Sequence, residues 1–204
     1  MKKGFRWIPA LVILILTMLF SAAAMAESSG EEEKVRDTVE KLCSGIQNYD
    51  AQQISSCLKN PSSLTYVSEE NAPYVNRFIR ENNKQMFRYT IRELSVNGEK
   101  AAVVLEIRYP NACDIFQKAM DQLFLYSMSK PEVKTEKAVR KFGKYIKTYA
   151  QLVNIPVRSE TVSLSLTKTG GEWKVGRMNK KMNLILNDGY PRAVQNFENS
   201  YDKE

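Results

Sequence analysis

Residues Phe87–Pro110 read FRYTIRELSVNGEKAAVVLEIRYP, and the spacing of their apolar residues decides the fold. Phe87, Tyr89 and Ile91 alternate with polar neighbours, and Ala101, Val103, Leu105, Ile107 and Tyr109 do so again further on. A period of two is the mark of a strand with one buried face. Asn97-Gly98 between the runs reads as a two-residue hairpin turn. Leu94 and Val96 fall out of phase with Ile91, which calls for a bulge near Glu93. A second hairpin has the same features: Val162, Leu164 and Leu166 on one face, Gly170-Gly171 at the turn, and Trp173 and Val175 on the return.

On either side of these strands the period is helical. Val35, Val39, Leu42, Ile46 and Tyr49 recur at spacings of three and four, predicting a helix from about Glu31 to Asn48. Ser28-x-x-Glu31 and Ser29-x-x-Glu32 are capping boxes for its start, and Asp50-x-x-Gln53 is another for a short helix over Ala51–Leu58. A third helix from about Pro73 to Asn83 is expected to bury Tyr74, Val75, Phe78 and Ile79. Between the hairpins, Ala112–Val153 is helical in two pieces parted at Lys130-Pro131. Leu184, Ile185, Ala193, Val194 and Phe197 predict short closing helices. Helices, hairpin, helices, hairpin, helices describe an α+β domain in which N-terminal helices cover a curved antiparallel sheet, with a helical insertion between the hairpins.

The chain opens with Lys2, Lys3 and Arg6, an apolar stretch over Trp7–Phe20 and Ala24-Met25-Ala26, the layout of a secretory signal peptide. The rival is an uncleaved membrane anchor, since apolar and small residues continue through Ala26 for about the length that spans a bilayer. The expected division is therefore a signal peptide over 1–26, a leader over 27–34, one domain over 35–198 and a frayed tail over 199–204. A secreted or extracytoplasmic location follows, with the anchored form as its alternative. Taking three basic residues from 30 leaves 27 Lys plus Arg against 23 Asp plus Glu, a net of +4. That mild excess suits an anionic membrane or cell-wall surface, or an acidic partner, better than nucleic acid. Histidine is absent, which removes His-dependent triads, His-ligated zinc or haem, and the usual neutral-pH proton shuttle.

The segment VEKLCSGIQNYDAQQISSCLKN, the strand pair with its Asn-Gly turn, and GGEWKV followed by NLILNDGYP resemble the small exported NTF2-like, or cystatin-like cone, domains of uncharacterised bacterial lipoprotein families. The resemblance spans residues 35–191 and rests on element order and on Asp50, Trp173 and Gly189. The chain departs from the family in lacking a lipobox cysteine and in the length of Ala112–Val153. The resemblance implies a conical cavity between sheet and long helix, which relatives use for catalysis or, more often, for ligands and partners.

The candidate functional residues each carry two readings. Cys43 and Cys57 lie seven residues to either side of Asp50, level with each other if the first two helices fold back, so they are candidates for a disulfide in an exported chain; otherwise they are buried thiols on apolar stripes. Cys113 is read as a buried structural thiol, for want of a base. Lys137, Arg140, Lys141 and Lys144 share a helix with Phe142 and Ile146, which suits an anionic surface but is first of all the pattern of an ordinary helix facing its own core. Glu106 and Arg108 either line the cone with Tyr89, Tyr109 and Trp173 or face water. The acidic residues have no metal-loop spacing, and no cofactor is implied. The expected function is a non-enzymatic binding or interaction module for an unidentified small ligand or protein. The alternatives are a small carboxylate-dependent enzyme and a peripheral surface-binding protein.

Overall fold

The computed structural model describes residues 30–201. The expected signal peptide and the Ser28 and Ser29 caps lie outside those residues. Helix α1 occupies 30–48 and so takes in the last part of the expected leader. Val35, Val39, Leu42 and Ile46 form its fully buried stripe. Helix α2, Ala51–Ser56, is capped by Asp50, whose carboxylate accepts from the Gln53 N–H at 2.9 Å. The Gln53 side chain reaches Lys41 O instead of closing the box. Helix α2 ends two residues early because the sheet claims the chain: Val175 N–H donates to Cys57 O, and Lys59 N–H donates to Val175 O at 2.7 Å.

Helix α3, Pro73–Met86, runs three residues past its expected end. Its buried side carries Val75 and Ile79 but also Asn76, Asn82 and Asn83. Tyr74 was expected to be buried and is 37% exposed, with its ring lying over Gly143, where a Cβ would come within 2.3 Å.

Strands β1 (Arg88–Asn97), β2 (Lys100–Pro110), β3 (Val157–Thr169) and β4 (Glu172–Val175) form one antiparallel sheet in chain order. Helices α4 (Cys113–Ser129) and α5 (Thr135–Leu152) pack on each other in the connection between β2 and β3. Helices α6 (Lys180–Leu186) and α7 (Tyr190–Tyr201) close the chain, and α7 continues into the expected tail. The α+β class and the helical insertion are as expected.

The pairing shows why the bulge is needed. Ile91 faces Leu105, Glu93 faces Val104, and Leu94 faces Val103, so the register slips at Arg92 and returns Leu94 and Val96 to the apolar face. The first turn sits one residue later than expected. Asn97 pairs with Lys100, leaving Gly98 (φ 58) and Glu99 as the central residues, and glycine at the first central position is the II′ arrangement. Gly170 and Gly171 both have positive φ between the paired Thr169 and Glu172, as a I′ turn requires. Helix α1 crosses the apolar face between opposite corners of the sheet: Thr38 donates to Trp173 O, and Gln47 donates to Phe87 O. Val103, Leu105, Ile107, Val162, Leu164 and Leu166 fill the space beneath it.

Candidate functional site

Two helices end against the same buried polar cluster. Helix α1 closes on Tyr49 in the left-handed region (φ 52), with Tyr49 N–H donating to Ile46 O at 3.1 Å and Asp50 N–H to Gly45 O at 2.8 Å. Helix α6 closes in the same way on Asp188 (φ 51), whose N–H donates to Ile185 O at 3.3 Å while Gly189 N–H donates to Leu184 O at 3.0 Å. This is the Schellman pattern, in which glycine is the usual left-handed residue. An aspartate there is tolerated better than a tyrosine, so Tyr49 has to be held in place by other contacts.

Those contacts are polar and buried. The Tyr49 hydroxyl donates to Asn187 Oδ1 at 2.6 Å and accepts from Val67 N–H at 3.2 Å, and its ring stacks on Tyr66 with centroids 4.6 Å apart. The Asn187 amide donates to Thr65 O and Asn183 O, both at 2.8 Å. From α3, Asn82 donates to Asp188 Oδ2 at 3.1 Å, and Asn83 donates to Leu186 O at 2.8 Å.

Asp188 is 0% exposed and forms no salt bridge among the described residues. Its Oδ1 has no partner, and neither does Asn83 Oδ1. Burial pushes the Asp188 carboxyl well above the usual range, with the Asn82 hydrogen bond opposing it, so the protonated form is favoured over what an exposed aspartate would show. Burial also pushes up the Tyr49 and Tyr190 phenols.

The Asn187–Gly189 corner is pinned from outside. Ala112 N–H donates to Asp188 O at 2.8 Å, and the Asn111 side chain occupies the space a Cβ on Gly189 (φ 82) would need, at 2.5 Å. In front of Gly189 lies a cleft of about 330 Å³ bordered by Tyr109, Asn111, Glu160 and Lys181. A second hollow of about 400 Å³, bordered by Thr65, Asn183, Pro191 and Gln195, shares Lys180, Leu184 and Arg192 with the first. The two form a trough with those three residues as its saddle. Lys181 is committed to Glu160 at 2.7 Å, and the Asn111 carboxamide oxygen accepts from the Arg158 guanidinium at 2.9 and 3.2 Å.

The residues expected to form a ligand site are not brought together. Glu106 and Arg108 lie on the outer face of β2, and Glu106 is bound by Arg92 of the neighbouring strand rather than by Arg108. Tyr89, Tyr109 and Trp173 are on the inner face, with Tyr109 and Trp173 toward opposite ends of it. Tyr109 alone of the five borders the trough. The Trp173 indole donates to Glu31 Oε2 at 2.8 Å and is occupied in anchoring α1. The expected disulfide is corrected: Cys43 and Cys57 are free buried thiols, as is Cys113. Cys57 Sγ is turned to Gln53 O at 3.4 Å within its own helix turn. Burial, with Cys57 nearby, pushes the Cys43 thiol up to about 12, so it stays protonated and unreactive.

On α5, Ile146 is 2% exposed, and Phe142, Tyr145 and Tyr149 pack on the core, so the apolar stripe is used internally. Lys137, Arg140 and Lys144 point outward, Arg140 pairs with Glu136, and Lys141 lies over the Tyr126 ring at 5.1 Å. Among the described residues no helix is long and apolar enough to cross a membrane, and no group of three metal-ligating side chains is assembled.

Reasoning from sequence passed over Asp188, Lys180 and Arg192. Asn-Asp-Gly reads as a turn, and only the apolar run before it marks the aspartate as the cap of a buried helix.

No family model matches the chain, and no curated protein does. Among solved structures, one neighbour is a Bacillus subtilis protein provisionally described as a lipoprotein, 14% identical, with a TM-score of 0.40 over 61% of this chain and 40% of that one. Another is a Streptomyces avermitilis protein provisionally described as a dehydratase of the NTF2-like family, 12% identical, with a TM-score of 0.36 over 74% of this chain and 94% of that one. The first match leaves more than half of the lipoprotein chain uncovered. At these scores neither neighbour lends an activity or a ligand, and the α+β class rests on this chain's own sheet and helices.

Proposed function

We propose that the chain is an extracytoplasmic, non-enzymatic binding domain of NTF2-like type whose ligand occupies the trough over the Asn187–Gly189 corner. The observation that carries this is the rigid corner itself. Two left-handed caps are locked together by buried asparagines and a tyrosine, and such rigidity preorganises the open hollows in front of it. The strain at Tyr49 and Asp188 fits a site where the fold gives up stability to place a surface. The cone interior is an inferior location, because its side chains are packed. The enzyme reading has little support, since Glu106 is exposed and salt-bridged and the trough wall offers Glu160 already paired with Lys181.

The test is native mass spectrometry of the protein taken from its own host. A mature chain carrying extra mass that is lost in an Arg192→Ala variant supports the proposal. A bare chain, or extra mass that the variant retains, overturns the trough as the site. A mass beginning at Glu27 would establish release from the membrane, and a full-length mass an anchor. A second reading, electrostatic adhesion through α5, is favoured by its outward Lys137 and Lys144.

A further inference from the structure

The trough has an uneven distribution of charge, and that unevenness specifies its ligand. Its saddle carries Lys180 and Arg192, neither of which forms an ion pair among the described residues. The one carboxylate on the wall, Glu160, is already neutralised by Lys181 at 2.7 Å. Arg158, oriented by Asn111, adds a further cation beside the cleft. Asp188, in the corner behind, is sealed from solvent and lines neither hollow. Burial raises the Tyr109 and Cys113 groups, with Glu160 and Asp114 adding to the rise and Arg158 and Arg192 opposing it. The second hollow is also lined by two apolar residues, half-buried Leu184 and Pro191.

Free cations flanking a concave surface with a short apolar floor recognise a charged head joined to an apolar body. A guanidinium and an ammonium at one saddle suit the planar or tetrahedral oxygens of a carboxylate or a phosphate. We propose that the ligand of the trough is a small organic oxyanion, with its carboxylate or phosphate held between Arg192 and Lys180 and its apolar part on Leu184 and Pro191. This rests on the trough being the binding site and names what the site takes.

The experiment is chemical-shift mapping of the full chain with four probes: sodium phosphate, hexanoate, hexylamine and hexanol. Phosphate and hexanoate are expected to move the Gly189, Arg192 and Leu184 amide signals, saturably and more weakly as salt rises, with the stronger of the two naming the head group. Hexylamine and hexanol are expected to leave them in place. The Lys180→Gln/Arg192→Gln variant is expected to lose at least about tenfold in affinity for both anions, with unchanged thermal stability, while Lys118→Gln on α4 binds as the parent does. If hexanol or hexylamine moves the same signals as strongly, or the double variant keeps its anion affinity, the oxyanion assignment is wrong while the trough stands. If no probe moves the corner and the host-derived ligand perturbs another surface, both the assignment and the trough fall.

Discussion

Asp188 concentrates most of what is unusual at the scale of single residues. It is an acid with one hydrogen bond, a left-handed backbone and no exposure. Because its folded pKa is raised, the folded state holds the proton more tightly than the unfolded chain does. The contribution of Asp188 to stability is therefore greatest below the unfolded carboxyl value of about 3.9 and declines as pH climbs from there to the folded value, beyond which it is level. Asp188→Asn removes this decline, in a conformation asparagine accepts. The variant is expected to gain on the parent steadily as pH rises from about 4 to 8, with a flatter profile of its own in urea melts. A parent and variant that lose stability in parallel would exclude a neutral Asp188. The thiols give a second expectation. Intact mass is unchanged by reductant, and iodoacetamide labels Cys43 only after denaturation, because burial holds its thiol up to about 12. A 2 Da gain on reduction would restore a bridge that the folded chain does not show.

Among the elements, α1 carries the connection between sheet and helices, and its start is fastened by Glu31. That carboxylate is held at about 2 by hydrogen bonds from Lys34, Lys168 and the Trp173 indole, so it ties α1 to β3 and β4. A depressed acid contributes stability above its unfolded value and loses it as pH falls through the folded one. Glu31→Gln is expected to lower the melting temperature at pH 7 and to match the parent near pH 2, read by circular dichroism across that range. Equal melting at pH 7 would mean the cluster is ornamental. The hairpins show how element and residue differ in legibility. The strands and the bulge follow from alternation, since a face that must stay apolar fixes the parity of every residue. The first turn moved by one residue because Asn97 was needed for pairing with Lys100, a demand that local composition does not reveal.

For the molecule as a whole, the helical insertion α4–α5 decides which surfaces remain for partners. Phe142, Tyr145, Ile146 and Tyr149 of α5 are turned inward while Leu125, Met128 and Leu152 stay exposed, and Lys137 and Lys144 form a solvated cationic face of α5. We expect sedimentation with vesicles containing phosphatidylglycerol at low ionic strength, release at about 0.5 M salt as screening shortens to a few ångströms, and loss of binding in Lys137→Gln/Lys144→Gln. Binding that persists at high salt would instead require an apolar contact. The sequence by itself determined the α+β class, the two hairpins and their bulge, the inserted helices and the absence of histidine chemistry, because periodicity and composition are local quantities. Only the tertiary structure decided that Glu106 faces Arg92 and water, that the three cysteines stay free thiols, and that Tyr49, Asn82, Asn83 and Asp188 meet at one sealed point beneath a cationic trough. Those partners lie up to 139 residues apart, as Tyr49 and Asp188 do. Whether a carboxyl so placed is charged depends on what surrounds it in space, and no window of sequence contains those surroundings.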